Sequence, residues 1–304
     1  MMKLLITGGT GFLGKECIDY FSERNSKLKK YFICATYRAE KGVSRQNVTW
    51  IKLDLTRKED FDKVYLELKE KNITHIIHIG GSTPNRAYAS GNFDATILGT
   101  KYLVDMAKKL KIKRIVFISS ISVLFSNGPY ASSKKSAEKT IISSGLNYVI
   151  LRPETIIGPT AKDFNRVGVM LSKNKVFPMI GLGNNMTQPI ASSDVVRMIE
   201  IALLNTKVSN KIYPAVGKDI ITTKQFMKKI AGLNNNTVFL VPIPKCLAYT
   251  ASYLANKINP RWGLNIERIK ILSYSRSYSL NYLKDFGIKP YSLTSLEKMI
   301  SFLK

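Results

Sequence analysis

Residues 7–14 read TGGTGFLG, and what surrounds them decides the fold. KLLIT (3–7) runs in front of them as a short aliphatic stretch that stops at glycine, as a buried parallel strand does. Behind them Phe12, Leu13, Cys17, Ile18 and Phe21 recur at helical spacing. Gly8, Gly11 and Gly14 therefore stand in the order GxxGxxG between a first strand and a first helix. A pyrophosphate needs a tight turn, close approach of the backbone, and the free N–H groups at a helix start. The spacing and setting together predict a dinucleotide site formed by Gly8, Thr10, Gly11, Phe12, Leu13 and Gly14.

Working outward, strand-like and helix-like segments alternate. Strands are expected at 31–37, 48–54, 74–79, 114–119 and 147–152, with helices at 12–24, 58–70, 95–110 and 130–144. Six strands interleaved with helices predict an α/β fold, a doubly wound parallel (Rossmann) sheet. After Pro153 the pattern loosens into Gly/Pro-rich stretches, IIGPT and PMIGLGNNMTQP. Helices are expected near 192–205, 222–231, 244–258, 264–273, 279–286 and 294–303, and short strands near 211–214 and 237–241. This divides the chain into a dinucleotide-binding domain, 1–155, and a smaller, mostly helical substrate lobe, 156–304, interleaved with the sheet. Gly287 stands where a helix C-terminal glycine belongs.

The tip of the second strand, Thr36-Tyr37-Arg38, carries no acid. A carboxylate there would hold the ribose 2′-OH of NAD, whereas an arginine suits a 2′-phosphate. Arg38, with Lys41 or Arg45 as helpers, leans the cofactor from NAD toward NADP, and Glu40 keeps NAD open. Asp54-Leu55 closes the third strand, where the aspartate either reaches an adenine or caps a helix.

Four Tyr-x-x-x-Lys pairs occur: Tyr37/Lys41, Tyr65/Lys69, Tyr130/Lys134 and Tyr253/Lys257. Only the third opens the helix after the fifth strand, and only it follows a serine cluster, FISSIS (117–122). Ligands of open parallel sheets bind at those strand ends. An ammonium one turn along from the phenol, with an oxidised nicotinamide's charge, should lower the tyrosine pKa from its usual ~10. Tyr130 could then exchange a proton with a substrate hydroxyl. Lys134 would also hold the nicotinamide ribose, and Ser120, with Ser122 second, would hydrogen-bond the reacting oxygen.

These motifs, with HIIHIGG (75–81), the GT at 99–100, LRPETIIGP (151–159) and PIASSDVV (189–196), resemble in order the extended and atypical short-chain dehydrogenase/reductase family, the NAD-dependent epimerase/dehydratase group. The resemblance covers nearly the whole chain. It implies cofactor contacts at Gly80, Gly81 and Pro153, an acidic position at Asp194, a nucleotide-sugar substrate and often a homodimer. Four positions depart from the family pattern. Thr96 replaces an asparagine, Leu124-Phe125 stands where a tyrosine is usual, and Ala191 replaces a histidine. The stretch from Ser120 to Tyr130 is also short, which implies a reduced substrate lid. Expected functions are a sugar epimerase, dehydratase or reductase acting on a nucleotide-linked or lipid-linked sugar. The alternatives are a non-catalytic NAD(P)-binding regulator or respiratory-complex assembly subunit, and a lipid or isoprenoid reductase.

Bulk composition narrows the classes. Two histidines, His75 and His78, exclude a multi-histidine metal centre, and no metal site is expected. Three scattered cysteines imply a reducing compartment and no disulfide framework. No leader or apolar span is recognised, so a cytoplasmic location is expected. Net charge is +26, and it is uneven. Residues 1–100 hold 16 basic and 11 acidic side chains, residues 101–200 hold 15 and 6, and residues 201–304 hold 16 and 4. No nucleic-acid module accompanies the charge, so the composition either follows a lysine-rich coding bias or serves an anionic small-molecule substrate. In IPKCLAYTASYLANKI (243–258), Leu247, Ala251, Leu254, Ala255 and Ile258 share one helical face, with Tyr249 and Tyr253 beside it. That face either packs in the core or gives peripheral membrane contact.

Overall fold

The computed structural model describes residues 1–28, 30–82, 93–159, 161–232, 235–258 and 266–291. Its centre is a seven-stranded, wholly parallel sheet. In chain order the first elements are β1 (Met2–Thr7), α1 (Phe12–Leu28), β2 (Tyr31–Tyr37), β3 (Val48–Lys52), α2 (Lys58–Glu70) and β4 (His75–His78). Next come α3 (Asp94–Lys109), β5 (Arg114–Ile118), a 3-10 turn at Ile121–Leu124, α4 (Pro129–Ile142) and β6 (Tyr148–Pro153). Short β7 (Ile156–Ile157) leads to α5 (Lys162–Lys173), β8 (Val176–Ile180), β9 (Met186–Thr187), β10 (Ile190–Ala191) and α6 (Ser192–Leu204). The chain continues through β11 (Lys211–Ala215), β12 (Ile221–Thr222), α7 (Thr223–Gly232), β13 (Phe239–Ile243), α8 (Lys245–Ile258), α9 (Ile266–Ser273) and α10 (Leu283–Phe286).

The sheet runs β11-β6-β5-β4-β1-β2-β3, the doubly wound order with its reversal between β1 and β4. Its strands are apolar on both faces because helices cover both. On one side Leu13, Cys17 and Phe21 of α1 and Val195, Ile199 and Leu203 of α6 pack on Leu4, Ile6 and Ile33. On the other, Phe61 and Leu68 of α2, Leu103 of α3 and Ile141 of α4 pack on Leu5, Ile76, Ile115 and Phe117. The six expected strands and the expected fold class are present. The seventh strand, β11, comes from beyond residue 155 and pairs with β6.

The remaining segments build a second core around Leu171, Met179, Ile230 and Leu240. Here the sequence pattern misled in places. Helix α5 was not expected, and the stretch read as Gly/Pro-rich loop contains the end of β8, which pairs in parallel with β13, and β9, which pairs with β12. Only Leu283–Phe286 of the helix expected at 279–286 forms, and Gly287 ends it in the left-handed region (φ 61°). The helix expected at 294–303 lies outside the described residues. Among the described residues no helix is long and apolar enough to cross a membrane.

Candidate active site

The loop after β1 is built from close backbone approaches. Gly8 (φ 73°) turns the chain, its N–H donating to Thr36 Oγ1 at 3.1 Å, and Gly11 N–H donates to Gly8 O at 2.9 Å. A Cβ on Gly14 would stand 2.1 Å from Gly8 O, and one on Gly8 would stand 2.8 Å from Gly80 Cα. Gly11 is exposed, Thr10 and Phe12 are half-buried, and Leu13 is buried beneath them. The loop is thus an open cradle at the carboxyl end of β1, beside the β1/β4 switch point. Its bare backbone fits a pyrophosphate, because side chains at these glycines would fill it.

Under the cradle lies a buried polar chain. His78 meets Thr7 Oγ1 through Nδ1 (2.7 Å) and Thr100 Oγ1 through Nε2 (3.1 Å). Thr7 Oγ1 accepts the Gly80 N–H at 3.1 Å, and Thr100 donates to Thr96 O at 2.6 Å. Burial, then the charge of Lys134, lowers the His78 pKa to about 3, so the ring is neutral. Thr96 accepts the Ser82 N–H at 2.8 Å and so holds the backbone after Gly80-Gly81.

At the tip of β2, Arg38 is exposed and its charge reaches Asp54. Burial opposes ionisation of Asp54, but hydrogen bonds from Thr56 and the charges of Arg38 and Arg57 hold it below its ordinary value. Asp54 accepts both the N–H (3.0 Å) and hydroxyl (2.8 Å) of Thr56. It makes a local turn and does not cap α2, whose first position follows Arg57 without a side-chain cap. Leu55 is buried against Gly80 and Gly99. Arg45 forms an exposed ion pair with Asp19.

The serine cluster and α4 meet at the carboxyl end of β5. Ser120 Oγ lies 2.9 Å from Ser122 Oγ, and its hydroxyl favours ionisation of the Tyr130 phenol. Lys134 is buried, donates to Ile118 O at 2.8 Å and stands 4.9 Å from the centre of the Phe117 ring. Of the four Tyr-x-x-x-Lys pairs this alone has a buried lysine; Lys41, Lys69 and Lys257 are exposed. Burial lowers the Lys134 pKa to about 8, opposed by Glu138. The expectation that Lys134 lowers the phenol pKa is not met by these residues. Burial raises Tyr130 above its ordinary value, and the opposing influence comes from the Ser120 hydroxyl. Pro153 is buried at the end of β6, paired with Ala215.

Three acids escaped the sequence reading or gained a different role. Glu267 of α9 is buried and accepts the Tyr130 and Ala131 N–H groups, each at 3.1 Å, and the Ser126 hydroxyl at 3.0 Å. Its signal was scarcity, since it is one of four acids in residues 201–304. Glu154, just past β6, forms a buried pair with Arg276 and accepts the Thr187 hydroxyl at 3.1 Å. Arg276 also lies 5.4 Å from the centre of the Phe125 ring, which stacks on Tyr274 at 4.3 Å. Phe125 therefore joins the main fold to the C-terminal lobe. Asp194 is fully buried and accepts hydrogen bonds from the Tyr291 N–H (2.8 Å) and an Arg197 guanidinium N–H (3.1 Å), an anchoring role.

The NAD dependent epimerase/dehydratase family matches residues 4–215. A dTDP-D-glucose 4,6-dehydratase of Dictyostelium discoideum is 26% identical over 77% of this chain, which spans 62% of that protein's length. A mitochondrial NADH dehydrogenase [ubiquinone] 1 alpha subcomplex subunit 9 of Arabidopsis thaliana is 24% identical over 98% of this chain and 77% of its own length. The crystal structure of a UDP-glucose 4-epimerase of Thermotoga maritima with UDP-glucose superposes with a TM-score of 0.76 at 17% identity, covering 99% of this chain and 97% of that one.

Proposed function

Because the chain belongs to the NAD-dependent epimerase/dehydratase family, we propose that it is an NAD(P)-dependent epimerase, dehydratase or reductase acting on a nucleotide-linked or lipid-linked sugar. One observation carries the reading: of four Tyr-x-x-x-Lys pairs, the one at the carboxyl end of β5 joins a half-buried tyrosine to a buried lysine anchored on Ile118 O. NAD(P) held there would supply the acceptor and donor of hydride. Gly8, Gly11 and Gly14 leave the backbone open to its pyrophosphate. Arg38, exposed at the tip of β2, suits a 2′-phosphate and favours NADP.

Tyr130 is the proton-transfer group. With its phenol raised by burial it rests protonated at neutral pH and is poised to give a proton to a carbonyl oxygen. The reverse step, taking a proton from a sugar hydroxyl, needs more positive charge beside the phenol than these residues provide. Ser120 would hold the reacting oxygen, with Ser122 fixing the Ser120 hydroxyl. Lys134, anchored on Ile118 O, would reach the nicotinamide ribose. The substrate class is supported by the dTDP-glucose and UDP-glucose named for the similar proteins.

A second reading, a non-catalytic dinucleotide-binding subunit, is favoured by the near full-length similarity to the NADH dehydrogenase subunit. The Tyr130→Phe variant separates the two. An enzyme loses about 10²–10⁴-fold in turnover while still binding cofactor, whereas a binding subunit loses nothing. Nucleotide released on denaturation, identified by mass, with NADH and NADPH titrations, fixes the cofactor. Failure to bind either one sinks both readings.

A further inference from the structure

Helix α8 is packed inside out. Its small residues face inward, with Ala248, Ser252 and Ala255 buried, while Leu247, Leu254 and Ile258 are 59%, 52% and 72% exposed. At 3.6 residues per turn, positions 247, 251, 254 and 258 fall within about 60° of the helix circumference, so they make one continuous outer stripe. Ala251, in the stripe, is exposed too. Of the face read from the sequence, only Ala255 packs inward; the core-packing reading fails for Leu247, Ala251, Leu254 and Ile258.

The surroundings of the stripe are basic. Lys245 opens the helix and Lys257 sits in its last turn, both exposed, and the helix contains no acid. Lys257 lies 4.9 Å from the centre of the exposed Tyr253 ring. Lys270 of the contacting α9 is also exposed, whereas the acid of α9, Glu267, is buried against α4. The last third of the chain holds 16 basic residues against 4 acidic ones.

We propose that α8 docks the protein on an anionic lipid surface. The stripe enters the boundary between headgroups and acyl chains, and the lysines meet the headgroup charge. A second copy of this chain would bring the same lysines against themselves. The helix is 14 residues long, about 21 Å, so it lies on a bilayer and does not cross it. The proposal does not depend on the catalytic reading.

The test is co-sedimentation of the full chain with vesicles of phosphatidylcholine and phosphatidylglycerol (about 3:1) or phosphatidylcholine alone, at low and high salt. Binding should require phosphatidylglycerol and weaken at least about tenfold at high salt. It should fall about tenfold or more in Leu247→Ser/Leu254→Ser/Ile258→Ser, whose melting should change little because more than half of each residue is already exposed. Lys245→Glu/Lys257→Glu should lose binding to a similar degree and serves if the triple variant misfolds. Three results would overturn the proposal: no binding by the wild type, undiminished binding by a folded variant, or a homodimer that the triple variant dissolves.

Discussion

Glu267 holds the backbone of Tyr130 from 137 residues away, its Oε2 accepting the Tyr130 N–H at 3.1 Å. The first residue before α4 is Gly128, which has no side chain to cap the helix. Glu267 takes over that task, with Oε1 serving Ala131 and Ser126. A Cβ on Gly128 would come 2.0 Å from the Glu267 carboxyl carbon, so the glycine makes room for the cap. The contact joins the C-terminal lobe to the helix that bears the proposed proton-transfer group.

Glu267→Ala leaves three donors at the start of α4 without their acceptor. It should cost about 1–3 kcal/mol of stability, with turnover falling further than the melting shift explains. Glu267→Gln retains an acceptor oxygen and should recover part of both. Urea unfolding alongside steady-state kinetics would decide; equal behaviour of the two variants would contradict the capping role.

Lys134→Met should move activity and stability in opposite directions. The lysine pKa is about 8 in the fold, below its ordinary value of 10.5. Between these values the unfolded chain holds a proton that the folded one does not, so stability rises with pH across that window. Below about pH 8 the cost of the buried charge is full. Removing it should stabilise the protein at pH 7 by about 1–3 kcal/mol and flatten the rise from pH 8 to 10, while turnover collapses. Unfolding curves at pH 7, 8 and 10 test the sign.

Gly14→Ala should weaken dinucleotide binding with the rest of the fold intact. The added methyl meets Gly8 O, a backbone atom that cannot rotate away. The overpacking cost is about 1–3 kcal/mol. Titration with NADH and NADPH should show at least a tenfold loss for both; unchanged binding would mean that the dinucleotide lies elsewhere.

Acid should destabilise the protein through its two histidines. Burial, then Arg114 and Lys113, lowers the His75 pKa to about 4, and that of His78 is about 3. As pH falls below 6.5 the unfolded chain takes up protons that the folded one refuses, and stability drops by up to ~1.4 kcal/mol per pH unit for each. His75→Gln should reduce that slope between pH 6.5 and 4. An unaltered slope would assign the acid lability to carboxylates.

The sheet was legible because its information is local. TGGTGFLG between an apolar strand and an amphipathic helix specifies a strand, a turn and a helix within about twenty residues, and the repeating pattern then implies the parallel order. Tyr130 was separable from three similar pairs because its place after the fifth strand sets its distance from the loop. The C-terminal lobe was less legible. Its strands are two to five residues long, and β8 finds β13 across some sixty residues, so neither carries a readable period. Helix α8 shows the limit of periodicity: its apolar stripe is correctly located by spacing, but spacing does not say which face turns inward.

What the sequence alone determined is the doubly wound sheet, the glycine cradle and the placement of Tyr130 and Lys134 at one end of it. These follow from patterns spanning one or two elements. Only the tertiary structure decided that Glu267 caps the helix of Tyr130, that Glu154 is neutralised by Arg276, and that burial raises the Tyr130 phenol. Each depends on the electrostatic and steric surroundings made by segments more than a hundred residues apart, or on desolvation, which exists only once the chain has closed around the group.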